Sequence, residues 1–254
     1  MALPNKRLPL TETVNFEKED NLESILLRAK WKPKSEAWDM DISVICLRKD
    51  GSIESVVYWS EKTHHSGAIV HGGDNTTGRA SSGSFDSGEI NPEDRDKERI
   101  SIDLSAIARK TDIYHLVLAV NIFGGKSKGQ FLDQVRDCKI LVDTGNGKPL
   151  LESSFDHSKF KHKTGFYIMD IFRNDSGSWG FEPIGEAVLD YRVEEDMAHN
   201  ASAYFKKYGT FKGIANEYTV NGLKSSGSSS NNGSGNSNNG SSNRRGGFFG
   251  RFFG

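Results

Sequence analysis

The chain has 254 residues, long enough for one large β domain or two small ones with a buried core. Lysine plus arginine (33) nearly balances aspartate plus glutamate (34), leaving a formal charge of −1, which excludes a global electrostatic pull toward nucleic acid or an anionic membrane. Two cysteines, Cys46 and Cys138, are too few and too scattered for a disulfide framework or a zinc motif, and read as reduced thiols packed like small hydrophobes.

At the start, Lys6 and Arg7 are followed by no apolar h-region. No later stretch approaches the roughly eighteen apolar residues of a membrane span. The expectation is a cytoplasmic chain. Leu22 to Ala29 is apolar enough for a strand, although its Leu and Arg content leaves a helix open. Ile42 to Leu47 (ISVICL) is a continuous apolar run, the pattern of a strand buried on both faces or in a sandwich core. The turn formers Lys49-Asp50-Gly51-Ser52 precede Val56 to Trp59, which predicts a hairpin. Ile100 to Leu104 alternates, with Ile100, Ile102 and Leu104 inward and Ser101 and Asp103 outward. Tyr114 to Phe123 (YHLVLAVNIF) carries the strongest strand signal. Val135 to Val142, Phe166 to Arg173 and Trp179 to Ile184 complete the set. Strands joined by Gly, Asn and Asp turns, with no long helical period between them, predict an all-β antiparallel sandwich.

Beyond Ala187 the pattern changes. Val193, Met197, Ala201 and Phe205 recur every four residues within 191–208, which predicts a short C-terminal helix. Residues 225–243 are almost pure Ser, Gly and Asn and cannot bury enough apolar surface to order themselves. The expected organisation is therefore a sandwich domain over 1–190, a helical or irregular extension over 191–224, a disordered linker over 225–243 and a Phe-rich peptide over 244–254.

Three acidic turns lie between the strands. Asp39 and Asp41 stand one residue apart at the mouth of the first buried strand, so both carboxylates point to one side. GGDNTTG (72–78) is a polar turn whose glycines let the backbone bend and expose carbonyls. Residues 93–98 (EDRDKE) deliver further acidic groups just before the strand at Ile100. Hard cations such as calcium take six to eight oxygens, and acidic groups without nitrogen or sulfur partners suit calcium better than zinc. Solvated acidic turns are the competing reading. His64, His65 and His71 flank the region, and loop histidines of this kind are expected to be solvated polar residues rather than ligands.

The run GGDNTTG is similar to the GDN-x-TG loop of the tellurium-resistance TerD family. DKERISIDL (96–104) resembles that family's DDE-x-I-x-V-x-L segment, and DMDIS (39–43) its D-x-D-x-S entry strand. The likeness covers roughly residues 8–187. It implies a calcium-binding β-sandwich with Asp39, Asp41, Asp74, Asn75, Asp96 and Glu98 as ligands, used in a stress-response or scaffolding role without enzymatic activity. Lys97 stands where the family usually has a second aspartate, and the insert over 79–95 separates the two loops. One of two possible calcium sites is then weakened, unless Glu89 or Asp94 compensates. The rival class is a metal-dependent hydrolase using the same acidic loops with His65 or His71 as general base, although no nucleophile elbow or zinc motif accompanies them.

Phe248, Phe249, Arg251, Phe252 and Phe253 end the chain on a tether. They admit three readings: a weak interfacial membrane anchor, a terminus without a role, or a docking peptide for a protein partner or a second copy. Aromatic anchors beside an arginine favour docking. A nucleic-acid partner lacks the basic stripe it would need.

Overall fold

The computed structural model describes residues 22–32, 37–77, 96–154, 160–189 and 192–214. The insert over 79–95, the linker and the Phe-rich peptide, with the expectations placed on them, lie outside these residues.

Two five-stranded sheets, antiparallel throughout, face each other. In the first, β1 (Ser24–Lys32) lies at the centre between β5 (Glu98–Asp103) and β7 (Arg136–Thr144), with β4 (Ile69–His71) and β8 (Pro149–Ser154) at the edges. In the second, β6 (Ile113–Ile122) is central between β2 (Met40–Arg48) and β9 (Gly165–Arg173), with β3 (Ile53–Val57) and β10 (Trp179–Val188) at the edges. Alternation fills the space between the sheets: Ile25, Leu27, Ala29 and Trp31 from β1 meet Met40, Ile42, Val44 and Cys46 from β2. Cys46 and Cys138 are both buried and unpaired. The expected hairpin joins β2 to β3, with Gly51 in the left-handed region (φ 77°) and the Asp50 carboxylate accepting from the Ser52 N–H at 2.8 Å.

The other face of β2 is also covered. A π turn (Val193–Met197) leads into α2 (Ala198–Tyr208), and Val193, Met197, Ala198 and Ala201 pack on Ile45, Leu47, Val117, Ala119 and Tyr167. The continuous run ISVICL thus has a physical cause: one set of its side chains faces the other sheet and the alternate set faces the helix. Tyr167, fully buried, donates its hydroxyl proton to the Met197 carbonyl at 2.9 Å, which fixes the helix start on the sheet.

Elsewhere the sequence reading is corrected. Leu104 does not continue β5 but opens α1 (Leu104–Lys110), because the Asp103 carboxylate accepts from the Ala106 N–H at 2.7 Å and caps a helix there. Strands β4 and β8 are present without having been expected; β4 is three residues long and β8 begins at a proline. The strand at Val56 begins at Ile53 and ends at Val57.

Replacing Met197 by alanine deletes a fully buried side chain from the helix–sheet layer. A loss of about 2–5 kcal/mol is expected from denaturant unfolding; a change below about 0.5 kcal/mol would show that this layer contributes little.

Candidate metal centre

The acidic site is built at one end of the second sheet. β3 pairs with β2 only over Val44 to Leu47, so the start of β2 has no strand neighbour on that side. There the Ile42 N–H donates to Glu98 Oε2 at 2.9 Å, reaching across to β5 of the opposite sheet. Glu98 Oε1 accepts from the Asn75 N–H at 3.2 Å. One fully buried carboxylate therefore ties β2, β5 and the GDN turn together. That turn is held further by the Gly72 N–H on the Arg99 carbonyl (2.8 Å) and the Gly73 N–H on His71 Nδ1 (3.2 Å). Gly73 sits at φ 139°, a conformation that disfavours a side chain. The Asn75 side-chain oxygen accepts from the Thr77 N–H at 3.2 Å and closes an Asx turn.

Asp39 is fixed by its carbonyl, which accepts from the Phe123 N–H at 2.8 Å. Asp39, Asp41 and Asp74 each bring a carboxylate oxygen within 4.8 Å of the others. Asp74 is exposed, Asp39 half-buried and Asp41 only 2% exposed, so the cluster runs from solvent into the protein. Directly across from Asp41 in the strand register stands Asn121 of β6, on the same face. Asp41 Oδ2 and Asn121 Oδ1 are both buried without a hydrogen-bond partner among the described residues. Paired strands set these two side chains next to each other, and such buried oxygens are costly unless something satisfies them.

Electrostatics point the same way. Burial pushes the Asp41 carboxyl up to about 9, with like charge from Glu98, Asp39, Asp74 and Glu194 adding to it. Burial also raises Glu98 well above the ordinary carboxylate range, against the two backbone hydrogen bonds it accepts. Asp39 is raised by burial and by Asp74. His71 is 4% exposed, with Nε2 3.5 Å from Glu98 Oε2, and burial lowers its imidazole to about 4, so it faces the carboxylate as a neutral ring.

Of the six expected ligands, the structure brings Asp39, Asp41 and Asp74 together and sets Glu98 and the Asn75 backbone against them. Asp96 is engaged elsewhere: Lys30 Nζ lies 3.3 Å and Arg28 Nη1 3.6 Å from its carboxylate. The reason is strand pairing: Asp96 precedes β5 and therefore lies beside the cationic side chains of the neighbouring strand β1. Lys97 is buried, with its N–H on the Ala29 carbonyl at 2.8 Å. His64 and His71 are buried rather than solvated; His65 is the exposed member. Asn121 and Glu194 escaped the sequence reading. A lone Asn near the end of an otherwise apolar strand was the available signal for Asn121.

A carboxyl protonated in the folded chain but ionised in the unfolded one lowers stability as pH rises from about 4 to its folded value; for Asp41 that value is about 9. In chelator at pH 8, Asp41→Asn is therefore expected to melt above the wild type, with the gain shrinking toward pH 4. A variant melting at or below the wild type at pH 8 in calorimetry contradicts the placement of Asp41.

The TerD domain model matches residues 6–194. The tellurium resistance protein TerZ of Serratia marcescens is 24% identical over 172 residues, which cover 68% of this chain and 78% of that protein. The chemical-damaging agent resistance protein B of Clostridium acetobutylicum is 30% identical over 130 residues, covering 51% and 81%. A crystal structure of a homologue of the telluride resistance protein TerD from Streptomyces coelicolor superposes with a TM-score of 0.54 at 20% identity, over 68% of this chain and 94% of that one. The match spans both sheets and the three acidic turns, and the chain belongs to the TerD family.

Proposed function

We propose that the acidic centre is a calcium site and that calcium braces the turns of a non-enzymatic binding scaffold used under chemical stress. The observation that carries this reading is the convergence of three carboxylates within 4.8 Å around a buried, unpartnered Asp41 oxygen. The donor set is all oxygen, it grades from solvent to interior, and it holds more negative charge than its surroundings neutralise; these are the conditions under which a hard divalent ion binds. Asp39, Asp41 and Asp74 would hold the ion, with Asn121 Oδ1 as a neutral oxygen and water completing the shell. Glu98 has both oxygens engaged by backbone N–H groups and acts chiefly as the residue that positions the others. When bound, calcium supplies positive charge that neutralises the cluster. The stress role is supported by the names of the relatives, which are resistance proteins against tellurium and chemical-damaging agents.

An ion that binds only the folded chain stabilises it by an amount that grows with its concentration over its affinity. Calcium is expected to raise the melting temperature and chelator to lower it. Asp74→Ala should remove most of the shift, whereas Asp96→Ala, whose carboxylate is held by Arg28 and Lys30, should keep it. Equal shifts in wild type and Asp74→Ala would sink the ligand assignment. Phosphoester turnover with magnesium or manganese that disappears in Asp41→Asn would favour the hydrolase instead.

The Phe-rich terminus completes the scaffold reading as a docking peptide on a long tether, on the strength of its sequence. Deleting residues 244–254 should abolish partner recovery in pull-downs while leaving the calcium-dependent melting shift unchanged. The same partners with and without the peptide would remove the docking role.

A further inference from the structure

Each sheet ends in a short strand on the same side of the sandwich, β3 in one and β4 in the other, and residues 58–68 bridge them. The backbone of this bridge is pinned. The His64 N–H donates to the Ile69 carbonyl at 3.0 Å, the Gly67 N–H to the His64 carbonyl at 2.7 Å, and Thr63 pairs with Val70. His64 is therefore presented from a fixed frame, and its ring is completely buried against Glu54 of β3, whose side chain is 7% exposed. His64 Nε2 lies 2.9 Å from Glu54 Oε2, and Ser55 Oγ donates to the same oxygen at 2.5 Å.

A histidine–glutamate hydrogen bond explains those two residues by itself. It does not explain His65. That ring is largely exposed, yet it lies against His64 with centroids 4.0 Å apart, and its Nδ1 is turned to the second Glu54 oxygen at 3.7 Å, too far for a hydrogen bond. Two imidazole nitrogens and one carboxylate oxygen thus converge within 4.8 Å.

We propose that Glu54, His64 and His65 form a second metal site that takes a zinc-class divalent ion, independent of the calcium reading of the acidic centre. A tetrahedral zinc ion with bonds of about 2.1 Å needs its ligand atoms about 3.4 Å apart. His64 Nε2 and His65 Nδ1 lie 2.9 Å and 3.7 Å from the two Glu54 oxygens, and one ligand atom from each residue lies within 4.8 Å of the others, so an ion is reached by adjusting the exposed His65 ring and the Glu54 carboxylate. The chemistry separates the two sites: imidazole nitrogens suit zinc, copper and nickel, whereas the acidic cluster offers oxygen alone. Zinc at His64 Nε2 requires the imidazole proton on Nδ1. Ser66 Oγ, 2.7 Å from Nδ1, is placed to accept it, although the Ser66 N–H, 3.1 Å from Nδ1, favours the opposite tautomer in the ion-free chain. Binding therefore exchanges one tautomer for the other. Three protein ligands leave a fourth position on the His65 side for water or for a group from a partner.

The test is titration of the full, tag-free chain with zinc chloride by calorimetry, alongside the visible bands of cobalt(II). The wild type should bind zinc with saturating calcium present, and the cobalt spectrum should show a tetrahedral site. His65→Ala alters an exposed loop residue and should weaken zinc at least about tenfold while keeping the ion-free melting temperature; Glu54→Gln should weaken zinc likewise. Asp41→Asn should leave zinc binding unchanged. The proposal is overturned if the wild type takes no zinc, if both His65→Ala and Glu54→Gln bind zinc as the wild type does, or if Asp41→Asn alone abolishes binding.

Discussion

Glu98 is the hinge on which the acidic end of the sandwich turns. Its carboxylate lies fully buried between the sheets and accepts one backbone N–H from β2 and one from the GDN turn. Without it, the Ile42 N–H beyond the end of β3 would face the interior unpaired, a cost of the order of 1–3 kcal/mol. With it, the turn that carries Asp74 is fastened to the strand that carries Asp41. The same fastening creates an electrostatic load. Like unit charges 4.8 Å apart, the upper limit among Asp39, Asp41 and Asp74, repel by roughly 3.5 kcal/mol per pair at an effective dielectric of about 20, less where solvent screens the exposed Asp74. The fold meets that load either by keeping protons on its buried carboxyls or by admitting a cation. In both cases the geometry comes from Glu98 and the charge from its neighbours.

The helix layer and the acidic centre share one surface. Along the outer face of β2 and β6, Ile45 and Val117 sit under the helix, then Ser43 and Ala119, then Asp41 and Asn121. The surface turns from apolar to polar where the helical segment begins, and Glu194 in the π turn is close enough to add negative charge at Asp41. Neutralising Asp41 therefore also relieves a repulsion at the start of that segment, which Tyr167 anchors through the Met197 carbonyl. An ion at the proposed site would be coupled to helix docking through a few side chains on two adjacent strands, and the helix would then bear on the site as well as on the core.

What could be read from the sequence followed from periodicity. The long apolar strands, the β2–β3 hairpin and the four-residue spacing from Val193 to Phe205 each specify their structure locally, so all were legible. Strands β4 and β8 were not: three residues between turns carry no pattern, and a proline at a strand start reads as a break. The Asp103 cap was visible in principle, but the alternation of Ile100, Ile102 and Leu104 outweighed it. Within the site, Asp39, Asp41 and Asp74 were legible because acidic pairs and GDN turns are local motifs. Asn121 and Glu194 were not, because only strand pairing and helix docking bring them to Asp41. Asp96 shows the converse. Its motif position suggested a ligand, while its place beside Arg28 and Lys30 depends on β1 lying next to β5, a long-range pairing no local pattern encodes.

The segment from Trp59 to Thr77 emerges as the part of the chain with the densest chemistry. Its first half sets His64 and His65 against Glu54, and its second half delivers His71, Asp74 and Asn75 to the acidic centre. In one half a single carboxylate is shared by two imidazoles; in the other, several carboxylates crowd a single neutral imidazole. The two sites on one short connection thus differ in donor type, nitrogen-rich in the first and all oxygen in the second, where His71 stands only as a neutral neighbour. Geometry alone would discriminate poorly between divalent ions at either place, since both sets of donors have room to adjust. Donor type does discriminate: an all-oxygen cluster offers zinc no softer ligand to gain, and two imidazoles offer calcium too few oxygens to replace its water. With both proposed sites filled, donor type would favour zinc at the nitrogen-bearing turn and calcium at the oxygen-bearing one, with β4 between them.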